Sequence, residues 1–215
     1  MNRRLHIIGT GGFAKETAQL AEAVLRGSKR WDEIVYLCED DRQVGKHMPF
    51  GIVIGTEDLL FADNGQLDVT IGIGLPSVRK RVAEKFGHLS HLRFPNLIHP
   101  RAVFDPNHVR IGVGNLITAG CVFTCDILVG DFNVFNLNTT VGHDAVIGSF
   151  NVFNPSCNLS GNVRVGDSCL GGTGSQILET ISMSSRTVLG AGAVLVKSIE
   201  SEGGVYAGVP AKQLK

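Results

Sequence analysis

The sequence predicts an α/β domain with a parallel sheet, followed by a parallel β-helix. Three patterns carry that prediction. The first is a six-residue period: Ile111, Ile117, Phe123, Val129, Phe135, Val141, Ile147, Phe153, Leu159, Val165, Gly171, Ile177, Met183, Leu189, Leu195. Fourteen of these fifteen positions are apolar, and only Gly171 interrupts them. An amphipathic helix repeats about every 3.6 residues and a simple strand every 2, so neither fits. A hexapeptide period belongs to short strands stacked coil on coil, each hexad burying one large residue in a continuous core. The second pattern lies two places earlier, where Asn115, Cys121, Thr139, Ala145, Asn151, Cys157, Cys169, Ser175 and Ala193 are mostly small and suit a narrow interior. Glycine also recurs just after the apolar position (Gly112, Gly130, Gly142, Gly148, Gly166, Gly190), where a corner is expected to need permissive φ/ψ. The third pattern is the order strand, Gly-rich turn, helix, strand at the start of the chain, which is a βαβ opening.

The elements follow in order. Leu5–Ile8 is a short buried strand. Gly9-Thr10-Gly11-Gly12-Phe13-Ala14 turns into a helix from about Lys15 to Arg26, apolar at Ala18, Leu20, Ala21, Val24 and Leu25. Ile34–Leu37 is a second strand ending in Glu39-Asp40-Asp41. Phe50–Ile54 and Leu67–Ile73 are further strands, and Val78–Phe86 is a helix with a basic face. His99-Pro100 marks the start of the repeat. Residues 1–98 are therefore expected to form a small α/β domain, 99–203 the β-helix and 204–215 a tail.

Composition narrows the function classes. The chain has 215 residues, 43% of them hydrophobic, and a formal net charge of zero. With no Lys/Arg run, nucleic acid is not expected as a partner. The stretch from Met1 to Ile8 enters an apolar strand at once, so no signal peptide is expected. No apolar run approaches the roughly 18 residues of a membrane span, so no membrane insertion is expected. The five cysteines have no CxxC spacing, and Cys121, Cys157 and Cys169 share one repeat phase, which reads as small interior residues. A reducing cytoplasm is the expected compartment.

Gly9 to Ala14 satisfies G-x-G-x-x-A, a pattern that aims backbone N–H groups and a helix N-terminus at a phosphate. Three readings compete. A full NAD site needs a second mononucleotide-binding half, and fewer than about 100 residues precede the repeat. A tight turn without a ligand is the second. The third is a half-Rossmann site for a nucleoside diphosphate, in which Glu39 accepts hydrogen bonds from ribose or base. Otherwise Glu39 is a solvated turn acid. Gly74 ends a later parallel strand, where open α/β sheets bind ligands.

On the repeat, three six-residue faces make one coil, so residues 18 apart stack about 4.8 Å apart along the axis. The polar interruption from Asn136 to Asp144 puts His143 at a corner with a carboxylate beside it. A histidine, with an unperturbed pKa of about 6.5, can act as a general base at neutral pH. A neighbouring carboxylate fixes its tautomer and raises its basicity. The alternative is an exposed corner histidine beside a solvated Asp144. One coil on lies Gly161, whose unshielded N–H has the geometry of an oxyanion donor, or which is one more corner glycine. Gly171-Gly172-Thr173-Gly174 and Gly190-Ala191-Gly192 are expected to extend a small-residue track for a long thin ligand. Gly171 then reads either as clearance for that ligand or as a local irregularity. No Ser or Cys stands beside His143, so a direct transfer needs no acyl-enzyme. His6, His47, His88, His91, His99 and His108 have no partners at metal-ligand spacing, so no metal site is expected.

Motifs occur in a familiar order: Gly9–Glu16, Gly72–Arg81, Ile98-His99-Pro100, Val141–Gly148, Leu159–Gly166, Gly190–Val194 and Tyr206–Lys212. Together they resemble the two-domain hexapeptide acyltransferases that acetylate bacterial sugars. These include nucleotide-linked 4-amino-sugar N-acetyltransferases and sialic acid O-acetyltransferases. The resemblance covers nearly the whole chain. It implies a left-handed β-helix, a homotrimer, and acetyl-CoA bound between neighbouring β-helices. It implies His143 as the catalytic histidine, Asp144 as its acidic support and Gly161 as backbone donor to the thioester carbonyl. CoA contacts fall near Thr173 and Ala191. Nucleotide-sugar contacts fall on Gly11, Gly12, Phe13, Glu39 and Gly74, and Asn136 aligns with an asparagine near the acceptor sugar.

The chain departs from that pattern in three places. Many relatives carry a second histidine nine residues after the catalytic one. Here the position is Val152, so that role is either absent or taken by another group, Asn151 or Asn154. Phe13 stands where a histidine is frequent, and Cys38 where an acid is frequent. The expected reaction is acetyl transfer to the 4-amino group of a UDP- or dTDP-linked deoxy sugar. The rivals are O-acetylation of a sialic acid or related sugar, and a non-catalytic trimeric scaffold that binds nucleotide sugars.

Overall fold

A computed structural model describes residues 3–28, 30–62 and 65–214. Met1, Asn2, Lys29, Asp63, Asn64 and Lys215 lie outside the described residues. The chain divides into two compact units, Met1–Pro100 and Arg101–Lys215.

The first unit runs β1 (Arg4–Ile8), α1 (Gly12–Gly27), β2 (Glu33–Cys38), a 3₁₀ turn (Asp41–Gln43), β3 (His47–Met48), β4 (Gly51–Thr56), α2 (Leu59–Ala62), β5 (Leu67–Ile71), α3 (Pro76–Phe86) and β6 (Leu92–Arg93). The sheet order is β3-β4-β2-β1-β5-β6, parallel except for the β3–β4 hairpin. β1 and β2 are almost continuously apolar because both faces of a parallel sheet are covered. Leu5, Ile7, Ile8, Val35, Tyr36, Leu37 and Cys38 are fully buried. β1 pairs with β2 on one side and β5 on the other, so the strand order reverses at β1. A crevice at the carboxyl ends of these strands follows from that reversal.

α1 begins at Gly12, three residues before the expected start, so the Gly-rich turn includes the first helical residues. α3 begins at Pro76, whose fixed φ and missing N–H suit a first helical turn. Its expected basic face is broken. Arg79 is fully buried and donates from its guanidinium to the carbonyls of Ile71 at 2.6 Å and Ile73 at 3.3 Å. Burial lowers its pKa to about 9, which still leaves it protonated at neutral pH.

The second unit is a left-handed parallel β-helix with three sheets of two- and three-residue strands. Between Val109 and Leu195 the paired strands repeat after 18 residues in register, as in Val122↔Thr140↔Asn158 and Phe123↔Val141↔Leu159, whereas the last coil closes at 17, with Val188↔Val205. From Ile117 to Leu195 no apolar member of the six-residue series is more than 6% exposed. Phe123 meets Phe135 edge to face and Phe135 stacks on Phe153, with centroids 4.9 and 5.2 Å apart. Beside them, Asn115, Asn133 and Asn151 form a buried ladder. Each side-chain oxygen accepts the backbone N–H one coil on, at 2.8, 2.9 and 2.7 Å, ending at Cys169.

Two glycine readings need correction. Backbone with positive φ occurs at every sixth residue from Gly114 to Gly192, three places after each apolar residue, and most of these residues are not glycine. The glycines just after the apolar position have ordinary φ and are needed for close approach instead. A Cβ on Gly142 would lie 2.6 Å from the Gly161 nitrogen, and one on Gly130 would lie 2.7 Å from the Gly148 oxygen. Gly171 is likewise a packing residue. A Cβ there would lie 2.8 Å from Cys157 Sγ and 3.1 Å from the Phe153 ring, so its space is filled from inside the coil and is no clearance for a ligand. The segment expected as a tail carries strand Val205–Ala207, which pairs with Val188–Leu189, and strand Lys212–Gln213, which folds back on it.

Candidate active site

His143 stands on the corner between strands Thr140–Val141 and Val146–Ile147. Asp144 occupies the positive-φ corner position at φ 57°, a conformation that Asp tolerates better than most residues. That backbone carries the Asp144 carboxylate to His143 Nδ1 at 2.8 Å. An ionised carboxylate can only accept, so Nδ1 is the donor, and in the neutral imidazole Nε2 then keeps its lone pair. Both side chains are more than half exposed.

The 18-residue rung brings Gly161 directly onto this pair. A Cβ on Gly161 would lie 2.6 Å from His143 Nε2 and 2.7 Å from Cε1, so the imidazole uses the space that glycine leaves. The Gly161 carbonyl accepts Thr180 N–H at 3.0 Å. Among the described residues its own N–H has no acceptor. A different corner shows the contrast. There Val113, Asp131, Ser149 and Asp167 each give their N–H to the side chain one coil on, at 2.7–3.0 Å. Gly161 lacks such a cap and keeps a free donor next to a free imidazole nitrogen.

The expectation that no Cys stands beside His143 is corrected. Cys125 is exposed and occupies the same corner one coil earlier, where its carbonyl accepts Asp144 N–H at 3.1 Å. The imidazole leans the other way along the axis, over Gly161. Subtracting 18 from 143 would have revealed it.

The expected small-residue track does not continue this column. The rung after Gly161 is Glu179, which is exposed. Thr173 and Ala191 stack on the preceding corner, across the strand Gln176–Ile177, with Gly192 N–H donating to the Thr173 carbonyl at 2.8 Å. Both are exposed, and the backbone at Gly174 and Gly192 opens onto free space. Asn136 belongs to that second corner as well. It is 7% exposed, and its side-chain oxygen takes Leu137 N–H at 2.8 Å. Asn151 is fully buried in the asparagine ladder, so it cannot replace the missing histidine on the surface, whereas Asn154 is half-buried.

In the first unit a cleft of about 390 Å³ lies at the carboxyl ends of β1, β2 and β5. Its lining includes Gly11, Gly12, Phe13, Glu39 and Gly74, which the sequence singled out, and Thr10, Gln43 and Glu57, which it did not. Larger hollows of 510 and 420 Å³ open elsewhere on this unit, away from the strand ends where such sheets bind ligands. Gly11 precedes α1 without any side-chain cap, so the first helical N–H groups face the cleft unshielded. Gly72 permits this approach: a Cβ there would lie 2.8 Å from Ile7 and 2.9 Å from the Ala14 backbone. A Cβ added at Gly74 would only reach ordinary van der Waals contact with the Phe13 ring, at 3.5 Å, so Gly74 leaves that space beside Phe13 open. No group of three or more His, Cys, Asp or Glu suited to a metal ion occurs among the described residues. No helix among them is long and apolar enough to cross a membrane.

Known proteins share this fold over nearly the whole chain. The acetyltransferase domain of PglB from Neisseria gonorrhoeae FA1090 is 36% identical, with a TM-score of 0.90 over 99% of this chain and 100% of that one. This chain belongs to the PglD-like family of sugar acetyltransferases. A family profile described as the PglD N-terminal domain matches residues 4–86, which contain the cleft. The PglB domain has also been solved in complex with acetyl coenzyme A. PerB from Caulobacter crescentus, solved in complex with CoA and GDP-perosamine, is 28% identical, with a TM-score of 0.84 over 98% of this chain and 97% of that one. WeeI from Acinetobacter baumannii AYE is 26% identical, with a TM-score of 0.82 over 99% of this chain and 100% of that one. Like these relatives, this sugar acetyltransferase joins a PglD-type N-terminal unit to a left-handed β-helix.

Proposed function

We propose that this enzyme transfers acetyl from acetyl-CoA to the 4-amino group of a nucleotide-linked deoxy sugar, with His143 as general base. The observation that carries the reading is the His143–Asp144 pair at 2.8 Å, with Nε2 set over the uncapped Gly161. Asp144 holds the imidazole with Nε2 free. Nε2 takes a proton from the sugar amine as nitrogen attacks the thioester carbonyl. The Gly161 N–H donates to the oxyanion that forms. The C–S bond then breaks, and the proton on Nε2 passes to the leaving CoA sulfur. Thr173 and Ala191 are assigned to CoA. Gly11, Gly12, Phe13, Glu39 and Gly74 are assigned to the nucleotide, which is UDP or dTDP by expectation and GDP in the case of PerB.

The same reading includes a cytoplasmic homotrimer. His143 and Gly161 share one corner of the prism, while Asn136, Thr173 and Ala191 share another. A three-fold assembly with parallel axes would set the second corner of one protomer against the first corner of its neighbour. Light scattering should then give the mass of three chains.

The deciding experiment measures thiol release from acetyl-CoA across UDP-, dTDP- and GDP-linked 4-amino sugars and free sialic acid. Turnover with a nucleotide-linked amine and a kcat about 10²–10⁴-fold lower in His143→Ala support the reading. Near-wild-type turnover in His143→Ala removes that residue from the mechanism. Activity confined to sialic acid makes the enzyme an O-acetyltransferase, and silence with no acetyl-CoA binding makes it a scaffold.

A further inference from the structure

We propose that Gln43 reads the base of the bound nucleotide, and that Thr10 holds its carboxamide in the orientation needed. This rests on the cleft at Gly9–Phe13 being the nucleotide site. The Thr10 hydroxyl donates to Gln43 Oε1 at 2.6 Å, joining the turn after β1 to the loop after β2 along the cleft wall. The loop that carries Gln43 is built. Asp40 Oδ1 accepts Arg42 N–H at 3.1 Å, and the Asp40 carbonyl accepts Gln43 N–H at 3.0 Å. The Asp41 carbonyl accepts Val44 N–H at 2.9 Å, and the Gln43 carbonyl accepts Lys46 N–H at 3.0 Å.

Thr10 therefore uses the carboxamide oxygen and leaves the two N–H groups of Nε2 as donors. Among the described residues Nε2 has no acceptor. Position selects the part of the ligand that it meets. The phosphates belong at the uncapped start of α1. An acid at the end of the second strand, here Glu39, belongs to the ribose. Gln43 lies further along that same loop, beyond the ribose, where the base sits. A fixed pair of N–H donors seeks an oxygen. Uracil, thymine and guanine carry a carbonyl oxygen on this edge, whereas adenine carries there an amino group, itself a donor, and offers only the ring nitrogen beside it, so a pair of donors aimed at the exocyclic position favours the carbonyl-bearing bases. The structure thus assigns Gln43 as a specificity-determining residue for carbonyl-bearing bases and Thr10 as its positioning residue.

The test is calorimetric titration of the full-length protein with UDP, dTDP, GDP and ADP. Wild type should bind at least one of the first three about tenfold or more tighter than ADP, the scale of one well-placed hydrogen bond to an otherwise unmatched group. Gln43→Ala should shrink that ratio toward one by weakening the favoured nucleotide and sparing ADP. Thr10→Val should act the same way, and Thr10→Ser should restore the ratio. In turnover, KM for the nucleotide sugar should rise while KM for acetyl-CoA stays unchanged. A loss shared equally by all four nucleotides, or an unchanged ratio in Gln43→Ala, overturns the inference and leaves the cleft as the nucleotide site. No nucleotide binding by wild type overturns the cleft reading itself.

Discussion

Replacing Gly161 with alanine tests the site without altering either His143 or Asp144. Its φ is not positive, so alanine fits the backbone, but the new Cβ would sit 2.6 Å from His143 Nε2 and 2.7 Å from Cε1. Ordinary contacts of this kind begin near 3.4 Å, so the ring must retreat by most of an ångström. A displacement of about 1 Å at a reacting centre is enough to lose roughly 10²-fold in rate. The methyl also shields the N–H beside it, and loss of one oxyanion donor costs about 10²–10³ in kcat. The two effects share one geometry and do not add, so kcat should fall about 10²–10³-fold. Stability should not fall, because the imidazole is more than half exposed and can swing into solvent. Losing a glycine from the unfolded chain even favours folding by about 0.4–1 kcal/mol. The assay is thiol release at saturating acetyl-CoA and nucleotide amino sugar, beside a circular-dichroism melt. A kcat within threefold of wild type, at an unchanged melting temperature, would falsify the coupling of Gly161 to His143.

Other expectations follow from single contacts. Asp144→Asn keeps the positive-φ corner but can turn an N–H toward Nδ1. Its kcat should fall, toward the low end of the roughly 10²–10⁴-fold range for losing the base because the pair is exposed, and saturation kinetics should show no matching rise in KM. Gly171→Ala drives a methyl into Cys157 and Phe153, and overpacking of this kind costs about 1–3 kcal/mol, so the melting temperature should drop by roughly 2–10 °C with kcat unchanged. Ellman's reagent on native protein should label Cys125 quickly, and the remaining four cysteines, all buried, only after unfolding. Burial pushes the Cys157 and Cys169 thiols up to about 11. Unfolded thiols ionise near 9.0, so the stability these two contribute is whole at neutral pH and declines as pH rises through about 11, which melting at stepped alkaline pH would register.

The hexad series was legible because each large residue fills the same slot on successive coils, and a period of six admits no helix or ordinary strand. The same rung arithmetic found Gly161 and would have found Cys125. It failed where chain direction around the coil matters: Thr173 and Ala191 are small and late in the repeat, as a track from His143 requires, yet they turn a different corner. In sequence alone the glycines after the apolar positions point to a conformational role, because glycine usually has one. Only neighbouring coils in three dimensions show that Gly142 faces the Gly161 backbone. In the first unit, β1, β2 and β5 announced themselves by apolar runs, while the two-residue strands β3 and β6 have no room for a period. Arg79 looked like part of a solvated basic face, since nothing local to α3 reveals the carbonyls of Ile71 and Ile73 waiting beneath it. Gln43 is inconspicuous in the sequence because the hydrogen bond that holds it comes from Thr10, far away along the chain.

The left-handed corner at Asp144 has a further consequence. The same backbone conformation recurs on every rung, so the contact between Asp144 and His143 is set by two adjacent residues and one local bend. It needs no distant segment to arrive. A His-Asp dipeptide placed at the equivalent phase of another coil, with glycine one coil later, would meet the same geometry. The His143–Asp144 contact is in that sense portable along the prism in steps of one coil, because nothing outside two adjacent residues and one bend is needed to make it.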